Sequence, residues 1–229
     1  MPNQYINTGI SPALDLSMEY TVKGNNTGAY NEDIYLFGRN YPTTNNSSVN
    51  DCRSSIRVIK KNINKFDVYW NKKRMNGIKN GTKYIILDEF SYLDKHTYKM
   101  EPSQWSIDGK IYITTININS ANKYFDDYPI YLNGLNNGSK GQELGSSFNI
   151  YSCKFYKGST LILDLIPVIN NLTNEACMYD LVNKVVYPNA NTASGSFKAG
   201  PKTETIIDPE GTSSEDKNNS GTDETGGNN

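Results

Sequence analysis

From Tyr5 to Gly200 the chain alternates short runs rich in Ile, Tyr, Val and Thr with breaks of Asn, Gly, Asp and Pro, and almost no apolar recurrence has helical spacing. This predicts an all-β body. Strands are predicted at 18–22, 34–38, 56–60, 66–70, 84–87, 97–100, 104–107 and 110–118, then at 130–135, 148–156, 160–167 and 177–180. So many strands need two stacked sheets or a barrel. Asp108-Gly109 lies between two apolar runs and predicts a type I′ hairpin, because both central residues then take positive φ. That register sets Ile107 opposite Lys110 and Trp105 opposite Tyr112. Asn76-Gly77 and Asn80-Gly81 predict turns between the strand ending at Trp70 and the one starting at Tyr84. Ile34-Tyr35-Leu36-Phe37-Gly38-Arg39-Asn40 is echoed by Ile130-Tyr131-Leu132-Asn133-Gly134-Leu135-Asn136, which suggests similar core-strand roles. The echo is too short and isolated to indicate a repeat protein.

Composition changes sharply after Gly200. Residues 201–229 contain no aromatic, and two lysines face seven carboxylates, a net charge of -5; residues 1–200 then hold 21 basic against 17 acidic residues, or +4. Ordering the tail would cost about 1–2 kcal/mol per residue in backbone entropy, against about 2–3 kcal/mol for each of Ile206 and Ile207 if buried. The expected organisation is a β body over 1–200 and an acidic tail over 201–229 that is disordered on its own.

The whole chain of 229 residues has a net charge of -1, so no global positive field would attract DNA, RNA or anionic lipid, and nucleic acid is not an expected partner. No apolar run approaches the ~20 residues that a helical membrane crossing needs. Met1-Pro2-Asn3-Gln4 leads directly into Tyr5-Ile6 without a basic or apolar leader region, so no secretory signal peptide is expected. The single histidine, His96, and cysteines at 52, 153 and 177 give no zinc spacing, no Cys-His catalytic set and no disulfide framework.

Several segments, in order, resemble the concanavalin A-like, laminin-G-like β-sandwich domain of phage structural and bacterial surface proteins. Gln4-Tyr5-Ile6-Asn7-Thr8-Gly9-Ile10 is similar to its first strand and turn, Ile34–Asn40 to its second core strand, and His96-Thr97-Tyr98 with Trp105–Lys110 to its central hairpin. Asp164-Leu165-Ile166-Pro167-Val168, Met178-Tyr179-Asp180-Leu181-Val182-Asn183, Tyr187 and Gly195-Ser196-Phe197-Lys198-Ala199-Gly200 resemble its closing pattern. Cys177-Met178 stands where the family has glycine before the Tyr-Asp pair, and the family usually has a further strand segment before the opening stretch. The resemblance implies a two-sheet antiparallel jelly roll acting as a non-catalytic module of a virion, in decoration, a fibre or adsorption. Its implied partners are a host-surface glycan or a neighbouring virion protein, with a homo-oligomer possible. The alternatives are a glycan-cleaving depolymerase, a purely architectural capsid or tail decoration protein, and a bacterial surface location.

Chemistry in the sequence is sparse. The laminarinase-like enzymes of this superfamily carry a Glu-x-Asp-x-x-Glu strand that this chain lacks; Asp88-Glu89 are adjacent and point to opposite faces, and Asp126-Asp127 precede a Tyr-Pro turn. His96 reads as a strand-end polar residue, and no Gly-x-Ser-x-Gly elbow or phosphate-binding loop occurs. No catalysis and no cofactor are expected. Calcium on Asp- and Asn-rich rim loops is the one ion the resemblance brings into view. A sugar site on a sandwich needs an exposed aromatic platform beside groups that bond hydroxyls. Trp70 alternates with Phe66 and Val68 and reads as core, whereas Tyr69 falls on the opposite face beside Asp67 and Asn71. Tyr69, Asp67 and Asn71, together with Trp105 and Tyr112, are the candidate ligand-binding residues.

Overall fold

The computed structural model describes residues 4–25, 34–41, 52–59, 64–70, 73–74, 85–114, 128–136, 148–200 and 206–207. Among these the protein is all-β, with sixteen strands in two sheets and one short 3₁₀ turn at Thr192–Ser194. The first sheet runs β1 (Ile6–Asn7), β11 (Tyr131–Leu132), β3 (Ile34–Tyr41), β4 (Cys52–Val58), β5 (Lys65–Trp70) and β6 (Lys73–Arg74), with β7 (Ile85–Ile86) also on β5. The second runs β10 (Lys110–Thr114), β9 (Gln104–Ile107), β8 (His96–Met100), β2 (Leu16–Gly24), β12 (Phe148–Lys157), β13 (Thr160–Asn170), β14 (Glu175–Asp180) and β15 (Val186–Tyr187). The ladders between these strands are antiparallel; β16 (Ile206–Ile207) joins β13 in parallel.

The sheets face each other across one core, as the alternation of apolar and polar residues requires. In β2 the residues Leu16, Met18, Tyr20, Val22 and Gly24 are buried and those between them half-exposed. Phe66, Val68 and Trp70 lie on the buried face of β5. Tyr20 meets Phe37 edge-on at 6.4 Å, Phe37 meets Trp70 at 6.0 Å, and Phe66 meets Tyr98 at 6.4 Å. The Trp70 indole N–H donates to the carbonyl of Leu16 at 3.1 Å, so the largest core side chain of one sheet is bonded to the backbone of the other.

The echoed segments are neighbours: β11 pairs with β3, Tyr131 opposite Gly38 and Leu132 opposite Phe37. Gly38 is close-packed at this contact: a Cβ there would stand 2.7 Å from Leu135 Cδ1, the movable end of that side chain, and 3.2 Å from Ser55 Cβ. The Asp108-Gly109 turn has φ of 50° and 80°, as a type I′ hairpin demands, and Ile107 lies opposite Lys110. The ladder then departs from the expected register. A bulge between Ile111 and Ile113 sets Ile113, and not Tyr112, opposite Trp105, because Tyr112 is the extra residue.

The segments at the two ends of the body meet. Asn189 accepts the amide of Tyr5 at 3.1 Å and its own amide reaches the carbonyl of Asn191, while Ala190 N–H donates to Tyr5 O at 2.9 Å. The buried Asp180 organises the closing turn: its Oδ1 accepts the backbone amides of Asp164 and Val182, each at 2.9 Å, and its Oδ2 the side-chain amide Nδ2 of Asn183. β4 begins earlier than the sequence suggested, at Cys52, because its polar serines are enclosed; Ser54 and Ser55 are buried between β3 and β5. The predicted turns at Asn76-Gly77 and Asn80-Gly81, and all of the tail other than Ile206–Ile207, lie outside the described residues.

Two substitutions test this account in denaturant titrations. Gly38→Ala lowers the unfolding free energy by about 1 kcal/mol, as Leu135 turns aside and Ser55 gives way slightly. Asp180→Ala costs about 2–3 kcal/mol by stranding buried amides, and an unchanged midpoint for either would remove its proposed contact from the fold.

Candidate functional site

The residues singled out from sequence do not form one site, because they lie in different sheets. Tyr69 of β5 is half-buried and pairs with Ser55 and Arg74. Its neighbour Asp67 offers no exposed polar group: the side chain is fully buried, and Arg57 Nη2 donates to its Oδ2 at 2.6 Å. Charge burial without such a partner would be costly, so the carboxylate is committed to structure. Asn71 lies outside the described residues. Trp105 is fully buried and presents no face to a ligand. Tyr112 is half-buried, its ring 5.4 Å from that of Trp105 and 5.6 Å from that of Phe90. Trp70 occupies the core, as the alternation of β5 required.

Around Tyr112 the described side chains pair with one another. Lys110 Nζ lies 2.6 Å from Glu89 Oε1, which holds the Glu89 carboxyl below its ordinary range and the lysine above its own. Burial is the leading cause that raises the Tyr112 phenol. His96 opens β8 with Nδ1 2.7 Å from Asp108 Oδ2 and Nε2 3.1 Å from Ser91 O, while Asp108 Oδ1 accepts the amide of Thr97. These bonds fasten the β9–β10 turn to β8. They are the work of a structural histidine at a strand end.

A concave site lies elsewhere, in the second sheet. β12 pairs with β2 along its whole length, but with β13 only from Cys153 to Lys157. Against β2 its register shifts between Ile150 and Ser152, making Tyr151 the extra residue of a β-bulge. A bulge bends its strand and sharpens the local twist, and here the half of β12 before Cys153 parts from Ile166–Asn170 of β13. Between them opens a cleft of about 470 Å³, the size of a small-ligand site.

Phe148, Ile150, Val168, Cys177, Met178 and Phe197 supply apolar walls, and the cleft reaches Ile6 of the facing sheet. Tyr151, 36% exposed, stands at it with Lys95 Nζ 4.3 Å from its ring centroid. Lys95, Lys198, Asn149 and the Tyr151 hydroxyl are the polar groups among the described lining residues, which include no carboxylate. Phe197 is brought there by a bridge to Ala176 at the edge of β14. An apolar cavity with a few polar groups and cationic character can hold a neutral or anionic ligand with an apolar face. Among the described residues no three His, Cys, Asp or Glu side chains cluster to hold a metal ion.

Tryptophan or tyrosine beside Asp or Asn, the residue types that suggest a sugar platform, point to Tyr69, Trp105 and Tyr112 and not to this site. The signal was a slip in phase: the apolar residues Phe148 and Ile150 fall on even positions, Cys153 and Phe155 on odd ones. Burial pushes the Cys177 thiol at the cleft up to about 11, and that of Cys153 well above its ordinary value, with Asp164 adding to the latter. Neither a scan of protein-family models nor searches of curated proteins and of solved structures gives a match.

A thiol titrating near 11 is almost wholly protonated at pH 8, and only the thiolate attacks alkylating agents. Brief iodoacetamide treatment of the native protein at pH 8, followed by peptide mapping, should label Cys177 at least about a hundredfold more slowly than in the unfolded chain. The difference should shrink as the pH rises toward 11. Equal native and unfolded rates would show that the cleft wall is open to reagent.

Proposed function

We propose that this chain is a non-catalytic binding module of the concanavalin A-like, laminin-G-like kind, a component of a phage virion that takes a host-surface glycan in the cleft between β12 and β13. The cleft itself is the observation that carries the reading. A sugar offers an apolar ring face and a rim of hydroxyls, and Tyr151, Phe148 and Phe197 provide flat apolar surface beside Asn149, Lys95 and Lys198. The two lysines favour saccharides bearing carboxylate or phosphate groups. The virion setting draws its support from the sequence resemblance in the opening and closing segments.

Catalysis has no part in this reading. Glycoside hydrolysis calls for two carboxyl groups about 5–10 Å apart across the bound sugar, and the described residues lining the cleft bring none. Docking onto a neighbouring virion protein is a second reading, supported by the backbone edge that β13 offers beside the cleft.

An array of bacterial capsule and wall glycans, followed by titration of any hit, tests the proposal. The wild type is expected to retain an anionic glycan, and Tyr151→Ala to weaken it about tenfold or more, which corresponds to 1.4 kcal/mol. Retention of no glycan, or an affinity unaffected by Tyr151→Ala, would overturn the reading. Release of reducing ends from a bound glycan would replace it with a hydrolase.

A further inference from the structure

The walls of the cleft differ between the two faces of the second sheet, and strand pairing fixes which face each side chain takes. Asn149 lies opposite Lys23, which is flanked by the buried Val22 and Gly24, so both are on the outer face. Ile150 lies opposite Val22, and Pro167 opposite Met178, so Ile150 and Pro167 are on the inner face with the core. Ile6 and Met178 are buried members of that core, and Phe148, Ile150 and Phe197 pack against it. Lys95, Tyr151 and Lys198, by contrast, are exposed. The cleft thus passes through the sheet, from a cationic mouth outside to an apolar floor inside.

The β13 wall offers no donor halfway down. Asp164 turns its N–H and carbonyl toward β14, bonding Asp180 Oδ1 and the amide of Leu181, so by alternation the backbone of Pro167 faces β12, and proline has no N–H. A sugar hydroxyl pressed onto the floor would lose its water for no side-chain partner among the described residues, whereas a methylene is favoured there.

We propose that the floor is an acyl subsite, which narrows the ligand of the proposed function to an anionic glycan bearing an acyl chain; this rests on the reading of the cleft as a glycan site. The sugar ring stays at the mouth beside Tyr151, its charged group in the field of Lys95 and Lys198, and the chain descends past Ile150 and Phe197 toward Ile6. Lys23, opposite Asn149, adds a third cation on the outer face. Charge complementarity therefore selects the head and apolar depth selects the tail. A cleft of about 470 Å³ far exceeds the space of one methyl group, so a chain of several carbons fits.

The test is calorimetric titration of the full chain with glucosamine 6-phosphate carrying an N-acetyl, N-butanoyl, N-hexanoyl or N-octanoyl group, each below its micelle concentration. Affinity should rise about three- to fourfold per added methylene, the ratio given by ~0.8 kcal/mol per buried CH₂. Lys198→Glu, at an exposed position, should weaken every member about fivefold or more and leave the gain per methylene unchanged. Ile150→Trp, which adds bulk to the cleft wall, should flatten the series, with near-ultraviolet circular dichroism to confirm its fold; the wild-type series and Lys198→Glu decide the matter without it. Equal affinity for the acetyl and octanoyl compounds would overturn the acyl subsite, and the glycan reading would stand if that binding still needs Tyr151. Sodium octanoate that binds as tightly as the octanoyl sugar would overturn the glycan reading and this narrowing with it, and binding of no member would overturn both.

Discussion

The structure depends on the packing of one sheet's aromatic residues against the other's. Tyr20, Phe37, Trp70, Phe66 and Tyr98 come from both layers and meet at ring distances of 6.0–6.4 Å in edge-on or tilted contacts. Offset and edge-on arrangements let the positive edge of one ring meet the negative face of another, and each ring removes a large apolar area from water. The indole–carbonyl bond from Trp70 to Leu16 adds a fixed distance to what would otherwise be a sliding contact. With the inner faces committed to one another, local irregularities are taken up as single inserted residues in the ladders.

β-Bulges do that absorbing. One at Tyr112 re-aims a tyrosine while preserving its contact with Trp105, so the expected ring pair exists although the expected register does not. Another at Tyr151 lets β12 follow β2 and leave β13. The same inserted residue accounts for the cleft, for the exposed tyrosine beside it and for the free length of β13 edge. The cleft and the stretch of β13 that β12 leaves therefore share one cause, and any substitution that restored the register of β12 would be felt by both.

Much of this was legible in the residue pattern, for physical reasons that vary along the chain. Strands such as β2 and β5, buried on one face, declare themselves by alternation, and Asp108-Gly109 declares its turn through the two positive φ values it tolerates. β4 was misplaced because its enclosure between two strands buries serines that look like surface residues. Asp67 misled for a related reason: a carboxylate on the outer face of β5 suggested solvent, yet Arg57 across the ladder supplies the charge that lets it be buried. Side-chain type points to Tyr69, Trp105 and Tyr112, whereas the cleft is a product of backbone register. Only the change of phase between Ile150 and Cys153 marks it in the sequence.

The clasp of Asn189 and Ala190 on Tyr5 carries an architectural consequence. The opening strand is thereby tied to the segment that follows β15, so contacts far apart in sequence close the sandwich, and a cut in either segment would loosen the other.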